Sequence, residues 1–229
     1  MFKKIPYSTT EEWLKLRGQG IGGSDAGVIM GFKQFKHNNH EKNIIDLWEE
    51  KKTGVSFHKG VTSEAMERGH KLEDLIRRQY AVDHPDKKIS VIKDMYVHEK
   101  YDFIRASLDG EIVFKNDKNK IGILEIKTTT VHTYNDYKKN WIDGIPDNYL
   151  YQVLHYFLVT DYKFAVLVAD IRFSYKKEDE FDLNKEIRTY TIYRDHFKKE
   201  IQELKEKEIE FWSYVMNDVE PPYRKTYRI

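Results

Sequence analysis

The chain has 229 residues, 40% hydrophobic and 14% aromatic, enough for one domain with a sizeable core. Its 39 basic and 38 acidic residues leave a formal net charge of +1, so global charge neither requires nor excludes nucleic acid as a partner. The absence of cysteine excludes disulfides and thiolate zinc sites and suits a reducing cytoplasm.

In chain order, MFKKIPYSTTEEW lacks the apolar run of a signal peptide, and no later stretch is long and apolar enough to span a bilayer. A soluble, cytoplasmic protein with no membrane association is therefore expected. Ser8 to Glu12, ahead of Trp13 and Leu16, predicts a capped helix start. Gly18 to Gly23 is a glycine-rich break, after which Ser24 and Asp25 predict the cap of a short helix running through Met30 and stopping at Gly31. Residues 43–52 predict a helix ended by Gly54, and Glu64–Tyr80 a stronger amphipathic one.

The middle of the chain is rich in β-formers. Strands are expected at Ile89–His98, Asp102–Ser107, Glu111–Phe114 and Ile121–Thr128, with Asp117-Lys118-Asn119 as the turn between the last two. Asn148–Thr160 has helical spacing in Leu150, Val153, Leu154, Phe157 and Leu158. Phe164–Phe173 and Glu186–Tyr193 alternate like paired strands, and a final helix is expected from about Asp195 to Met216, while the tail PPYRKTYRI has no clear preference. No repeat or linker interrupts this order. It reads as a single α/β domain over residues 1–229, a mixed central β-sheet flanked by helices, with the last helix packed on the core or extending it.

The chemistry concentrates in ASLDGEIVFKNDKNKIGILEIKTTT. Asp109 precedes Gly110, a pairing that also suits an ordinary turn. Sixteen residues later, Glu125 lies inside ILEIK, where Ile123, Leu124 and Ile126 mark a buried strand. Side chains alternate along a strand, so Lys127 shares a face with Glu125. Charged groups are rarely buried unless paired or metal-bound. Two carboxylates that can share a divalent cation, with an ammonium beside the attacking water, suit phosphodiester hydrolysis, and the chain reads as a nuclease.

Glu73 falls on the apolar arc of its helix with Met66, Gly69, Leu72, Ile76 and Tyr80, whereas Asp74 points away. It suits either a third metal-site acid or a core carboxylate paired with an arginine. Gln152 and Tyr156, four apart, share a helix face opposite Leu150, Val153 and Phe157, which suits a cleft as well as it suits water. Arg17 and Ser24 flank the glycine-rich turn, where a capping serine and a cation suit a phosphate, although on these residues alone ordinary helix capping with a surface arginine is the better reading.

Five segments in this order resemble the PD-(D/E)XK nuclease superfamily, and within it the YqaJ-type/lambda-exonuclease family of phage recombination exonucleases: RGQGIGGSDAGVIMGF, ERGHKLEDLIRRQY, ASLDG, LEIKTT and QVLHY. The resemblance runs from about residue 10 to 160 and implies a restriction-endonuclease-like core. It implies that Asp109, Glu125, Glu73 and the backbone carbonyl of Ile126 hold Mg²⁺ or Mn²⁺, two ions per site, while Lys127 and Gln152 act on the attacking water or the scissile phosphate. Arg17, Ser24 and Ser107 match the family's grip on a terminal 5′-phosphate, and Tyr156 belongs to its Gln-X-X-X-Tyr motif.

The implied activity is 5′→3′ degradation of one strand of linear double-stranded DNA. That leaves a 3′ single-stranded tail for a phage single-strand annealing protein, inside a bacterial host. The implied assembly is a homotrimer around DNA ends, although residues 161–229 match least well. Alternatives are an endonuclease of the same superfamily, an inactive DNA-end-binding component, and a nuclease module of a helicase complex. The chain carries no Gly-X-X-X-X-Gly-Lys-Ser/Thr loop, so it encodes no motor of that type itself.

Overall fold

The structure is a computed structural model and describes residues 2–32, 36–37, 40–55, 64–174 and 185–222. Strand β1 (Phe2–Pro6) leads into helices α1 (Thr10–Gly18) and α2 (Gly23–Ile29), the short hairpin β2 (Lys36–His37) and β3 (His40–Glu41), then α3 (Ile44–Thr53) and α4 (Glu64–Asp83). Next come β4 (Lys87–Ser90), β5 (Asp94–His98), β6 (Arg105–Ala106), β7 (Gly110–Phe114) and β8 (Asp117–Val131). Helix α5 (Tyr134–Tyr137) runs into a π-turn at Lys138–Ile142. Helix α6 (Asp147–Thr160), β9 (Phe164–Phe173), β10 (Lys185–Tyr193) and α7 (Lys198–Asn217) complete the chain.

The central sheet has the order β10-β9-β8-β7-β4. Strands β8 and β9 pair in parallel from Gly122/Phe164 to Val131/Phe173, and the other neighbours are antiparallel, so the sheet is mixed as expected. Alternation along β8 divides its residues between two cores. Leu124 and Ile126 join Val166, Val168 and the α4 residues Ile76 and Tyr80. On the opposite face, Ile123 joins Ala165, Leu167 and the α6 residues Val153, Leu154 and Phe157. Glu125 and Lys127, in phase with Ile123, therefore face α6.

Local chemistry explains most of the helix boundaries. Thr9 accepts from the Glu12 amide at 3.1 Å while the Glu12 carboxylate accepts from the Thr9 amide, a reciprocal cap that opens α1. Asn43 caps α3, and Gly54 ends it in the left-handed region at φ 70°. Helix α7 lays Phe211 against Ile21, Val28, Ile29 and Leu47, so it covers α2 and α3 as well as α6.

Four expectations are corrected. Helix α2 begins at Gly23 with Gly22 as its cap, so Ser24 lies in the first turn and only Asp25 serves the cap, by accepting from the Gly22 amide. The run Ile89–His98 is two strands in two sheets. Ile89 pairs with Ile112 at the edge of the central sheet, whereas Met95 pairs with Ile5 in the small β1-β5-β6 sheet. The strand expected at Asp102–Ser107 shrinks to Arg105–Ala106, because the Phe103 carbonyl is taken by the Ile21 amide. The β7–β8 turn falls at Lys115-Asn116, with Phe114 facing Asp117. Asp117 still makes its turn-like bond to the Asn119 amide at 3.1 Å, from within the strand. The last helix begins as a 3₁₀ turn at Arg194–Phe197, and β1, β2, β3 and the α5/π segment carry signals too short or too charged to be read. The Met66 side chain and the tail from residue 223 lie outside the described residues.

Asp25 ties α2 to α3. Its carboxylate accepts from the Gly22 amide at 2.9 Å and from Lys51 Nζ at 2.7 Å, and both side chains of the ion pair are 3% exposed. Burial opposes its ionisation, but Lys51, Lys42 and Arg17 together hold the carboxyl well below the usual range. Removing one partner of such a pair strands the other charge. Asp25→Ala is expected to destabilise the chain by about 3 kcal/mol in urea unfolding; a loss below about 1 kcal/mol, the range of an exposed pair, would contradict this account of the tether.

Candidate active site

Asp109 sits in the bend before β7 rather than within a strand, which is where an Asp-Gly pair is at ease. Its Oδ2 accepts from the Ile126 amide at 2.8 Å, which joins it to β8 beyond the point where β7 pairing begins at Gly110/Leu124. In an extended strand the N–H and C=O of one residue point to the same side. The Ile126 carbonyl therefore faces the Asp109 side of β8.

Glu125 is 1% exposed. Its Oε1 accepts from Lys127 Nζ at 2.7 Å and from Gln152 Nε2 at 2.7 Å, whereas its Oε2 has no hydrogen-bond partner. Burial, then the charge of Asp109, push the Glu125 carboxyl up to about 8 despite Lys127. Burial likewise raises Asp109, against Lys127 and the Ile126 amide. Burial alone would lower Lys127, but Glu125, Tyr149 and Asp109 outweigh it and hold the ammonium charged.

Lys127 is also tied to Gln152 Oε1 at 2.8 Å and lies 4.9 Å from the centre of the Tyr149 ring. Gln152 Nε2 reaches Tyr156 Oη at 2.7 Å, and Tyr156 is buried. The face carrying Gln152 and Tyr156 thus looks into the site and not into water.

Glu73 lies beside this cluster rather than inside it. Its Oε1 accepts from Arg77, whose Nε donates to the Asp109 carbonyl at 3.0 Å. Burial, then Asp109, raise the Glu73 carboxyl, and Arg77 opposes them. The arginine-paired and site-facing readings of Glu73 therefore coexist. Among the described residues, no three His, Asp or Glu side chains close around a point. What the site offers a cation is two carboxylates, one with an unpartnered buried oxygen, and a carbonyl on the same side. Those are hard oxygen donors and fit Mg²⁺ or Mn²⁺ with room left for other ligands.

Arg17, Ser24 and Ser107 come together next door. Arg17 Nη2 donates to Ser24 Oγ at 2.7 Å, and its guanidinium lies 5.2 Å from the Trp13 ring. Trp13 Nε1 in turn donates to Ser107 Oγ at 3.1 Å. Trp13, which sequence reasoning placed only at a helix start, bridges the three; its spacing of four from Arg17 was the one available signal. Gly23 connects this group to the carboxylates. A Cβ there would lie 2.5 Å from Tyr156 and 2.9 Å from Gln152, so α2 packs on the face of α6 that carries these two residues only because it begins with glycine.

The raised Glu125 carboxyl makes a signed prediction. Its ordinary value is 4.5 and its folded value about 8, so the unfolded chain ionises first as pH rises. The resulting destabilisation is absent below the lower value, grows through the window and is complete above the upper one. Glu125→Gln is therefore expected to melt above the wild type at about pH 8.5 in chelator but not at about pH 4.5. Mg²⁺ is expected to raise the melting temperature of the wild type and not of the variant. A variant that melts lower at both pH values, or that responds equally to Mg²⁺, contradicts this reading.

The sequence model of the YqaJ-like viral recombinase domain matches residues 12–163. The protein YqaJ of Bacillus subtilis (strain 168) is 34% identical over 178 residues, 75% of this chain and 50% of YqaJ, so the chain spans about half the length of that relative. The alkaline exonuclease LHK-Exo from Laribacter hongkongensis superposes with a TM-score of 0.63 at 18% identity, covering 91% of this chain and 94% of that one. Its complex with dAMP gives 0.61 at 19%, covering 91% and 95%. A phage related exonuclease from Haemophilus somnus 129PT gives 0.53 at 13%, covering 90% and 99%. These three superpositions establish a shared fold, and the matched sequence spans the glycine-rich turn, both carboxylates, Lys127 and Gln152: the chain belongs to the YqaJ-like viral recombinase family.

Proposed function

We propose that the chain is a Mg²⁺- or Mn²⁺-dependent nuclease that degrades one strand of linear double-stranded DNA from its 5′ end. The observation that carries this reading is the Asp109–Glu125 pair, with one buried carboxylate oxygen left unpartnered beside the Lys127 ammonium. Asp109, Glu125 and the Ile126 carbonyl would hold the ions, with Glu73 next to them. When bound, the ions supply Lewis-acid activation of water and neutralisation of charge on the phosphate and the departing 3′-oxygen.

The side chains divide the remaining work. Lys127, held charged, orients the attacking water through its N–H donors; to accept the water's proton it would first have to give up one of its own, which its Glu125 partner opposes. Gln152 fixes both Lys127 and Glu125, and it is braced by Tyr156. The Arg17/Ser24/Ser107 group supplies a cation and two hydroxyls to a terminal 5′-phosphate. Because Ser107 lies two residues before Asp109, the held end and the cut bond keep a fixed separation. That separation favours removal of single nucleotides, and the dAMP complex of LHK-Exo is in keeping with it.

The 3′ tail left behind would be taken up by a phage single-strand annealing protein. A homotrimer around the duplex belongs to the same proposal. The chain would act in the cytoplasm of a bacterial host; among the described residues no helix is long and apolar enough to cross a membrane.

The test is digestion in Mg²⁺ of linear duplex DNA with and without a 5′-phosphate, beside a closed circle. Rapid loss of the phosphorylated strand with the circle intact is expected, and nicking of the circle would instead support an endonuclease. Lys127→Ala and Asp109→Ala are each expected to lower the rate by at least about 10³-fold with the fold retained by circular dichroism. Substantial activity in either purified variant removes the site assignment.

A further inference from the structure

Arg105 touches neither carboxylate, yet it is 9% exposed and its groups reach four separate elements. Its Nη1 donates to the Leu16 carbonyl at 3.0 Å and to Gln19 Oε1 at 2.8 Å, the residues on either side of Arg17 at the end of α1. Its Nε donates to the Asp102 carbonyl at 2.8 Å, closing the turn that delivers Phe103. The Arg105 amide donates to the Ile21 carbonyl at 2.9 Å, and the Ile21 amide donates to the Phe103 carbonyl at 2.6 Å. Together these bonds fix the glycine-rich segment just before Ser24. A Cβ on Gly20 would lie 2.2 Å from the Phe103 carbonyl oxygen, so that segment has no slack.

The Arg105 carbonyl is held from the other side. It lies 2.7 Å from His155 Nε2, and His155 Nδ1 lies 2.6 Å from Glu208 Oε1 on α7, with both side chains fully buried. With a carbonyl at one nitrogen and a carboxyl at the other, Nε2 must carry a proton and a second proton must lie between Nδ1 and Glu208. His155 is on α6 between Gln152 and Tyr156, and the strand leaving Arg105 delivers Ser107 two residues later.

We infer that Arg105 is the positioning residue that assembles the 5′-phosphate pocket and sets it at a fixed distance from the catalytic face of α6. Its side chain holds the end of α1 that carries Arg17, its amide holds the turn that carries Ser24, and its own strand carries Ser107. It does not contact the phosphate itself, because its guanidinium is turned onto oxygens of α1 and the Asp102 turn. The inference rests on the pocket proposed above and extends it: preference for a phosphorylated end depends on a buried arginine outside the pocket.

The test compares initial rates of the full chain on one linear duplex bearing either a 5′-phosphate or a 5′-hydroxyl, for wild type, Arg105→Lys and Gln19→Ala. Lysine keeps the charge but cannot span acceptors in two directions as the planar fork does. The phosphate-to-hydroxyl rate ratio is expected to fall about tenfold in Arg105→Lys. In Gln19→Ala, an exposed position that removes one acceptor, it is expected to fall about two- to threefold. A ratio unchanged in both variants overturns the inference even where absolute rates drop, since a purely structural role lowers both substrates together. If Arg105→Lys does not fold, the Gln19→Ala ratio decides. A wild type indifferent to the 5′ group overturns the pocket itself, a result separate from an unchanged ratio in the variants.

Discussion

Ionising a carboxylate buried as deeply as Glu125, with Asp109 adjacent, opposes folding, and most of the surrounding architecture bears on that cost. Lys127 and Gln152 satisfy one of its oxygens and leave the other bare. Strand β8 brings Glu125 and Lys127 to one face, and its parallel pairing with β9 requires a crossover. That crossover carries α6, which returns over the same face with Gln152 and Tyr156. Helix α6 is thus the connection that the sheet topology demands. A chain that retains such a destabilising pair is read most economically as one that gives it a cation.

The second constraint is contact between the two halves of the site. Gly23 lets α2 lie against Gln152 and Tyr156, and Ser107 and Asp109 occupy one short segment between β6 and β7. The group that would hold a strand end and the group that would cut it are therefore connected through a short stretch of backbone centred on the buried Leu108. His155, Arg105 and Glu208 form the inner side of that connection. Helix α7 joins it through Glu208, so the part of the chain least like the family pattern still reaches the site's foundations.

Much of this was legible in residues whose environment is local. Period-two alternation placed Glu125 and Lys127 together, capping chemistry placed the start of α1, Gly54 marked the end of α3, and helical spacing paired Gln152 with Tyr156. The sequence did not say what α6 faces, because a helix buried on most of its surface offers no solvent side for contrast. The ambiguity at Glu73 had the same origin: Arg77 sits four residues along the same helix, but its reach to the Asp109 carbonyl depends on tertiary placement. Trp13, Arg105 and His155 escaped notice because each acts through bonds to residues about fifty to ninety positions away. The run 89–98 was misread as one strand because apolar residues flank Lys93-Asp94 on both sides, while the chain changes sheets between Ser90 and Asp94.

The central claim is that Asp109 and Glu125 form a divalent-cation site. Crystals of the chain grown with Mn²⁺ and measured at the manganese absorption edge test it without relying on catalysis. The account predicts anomalous density between the Asp109 and Glu125 carboxylates, within ligand distance of the Ile126 carbonyl, and its loss in Asp109→Asn. Density confined to other acidic residues, or none at saturating Mn²⁺ with Lys127 still bonded to Glu125, would contradict it.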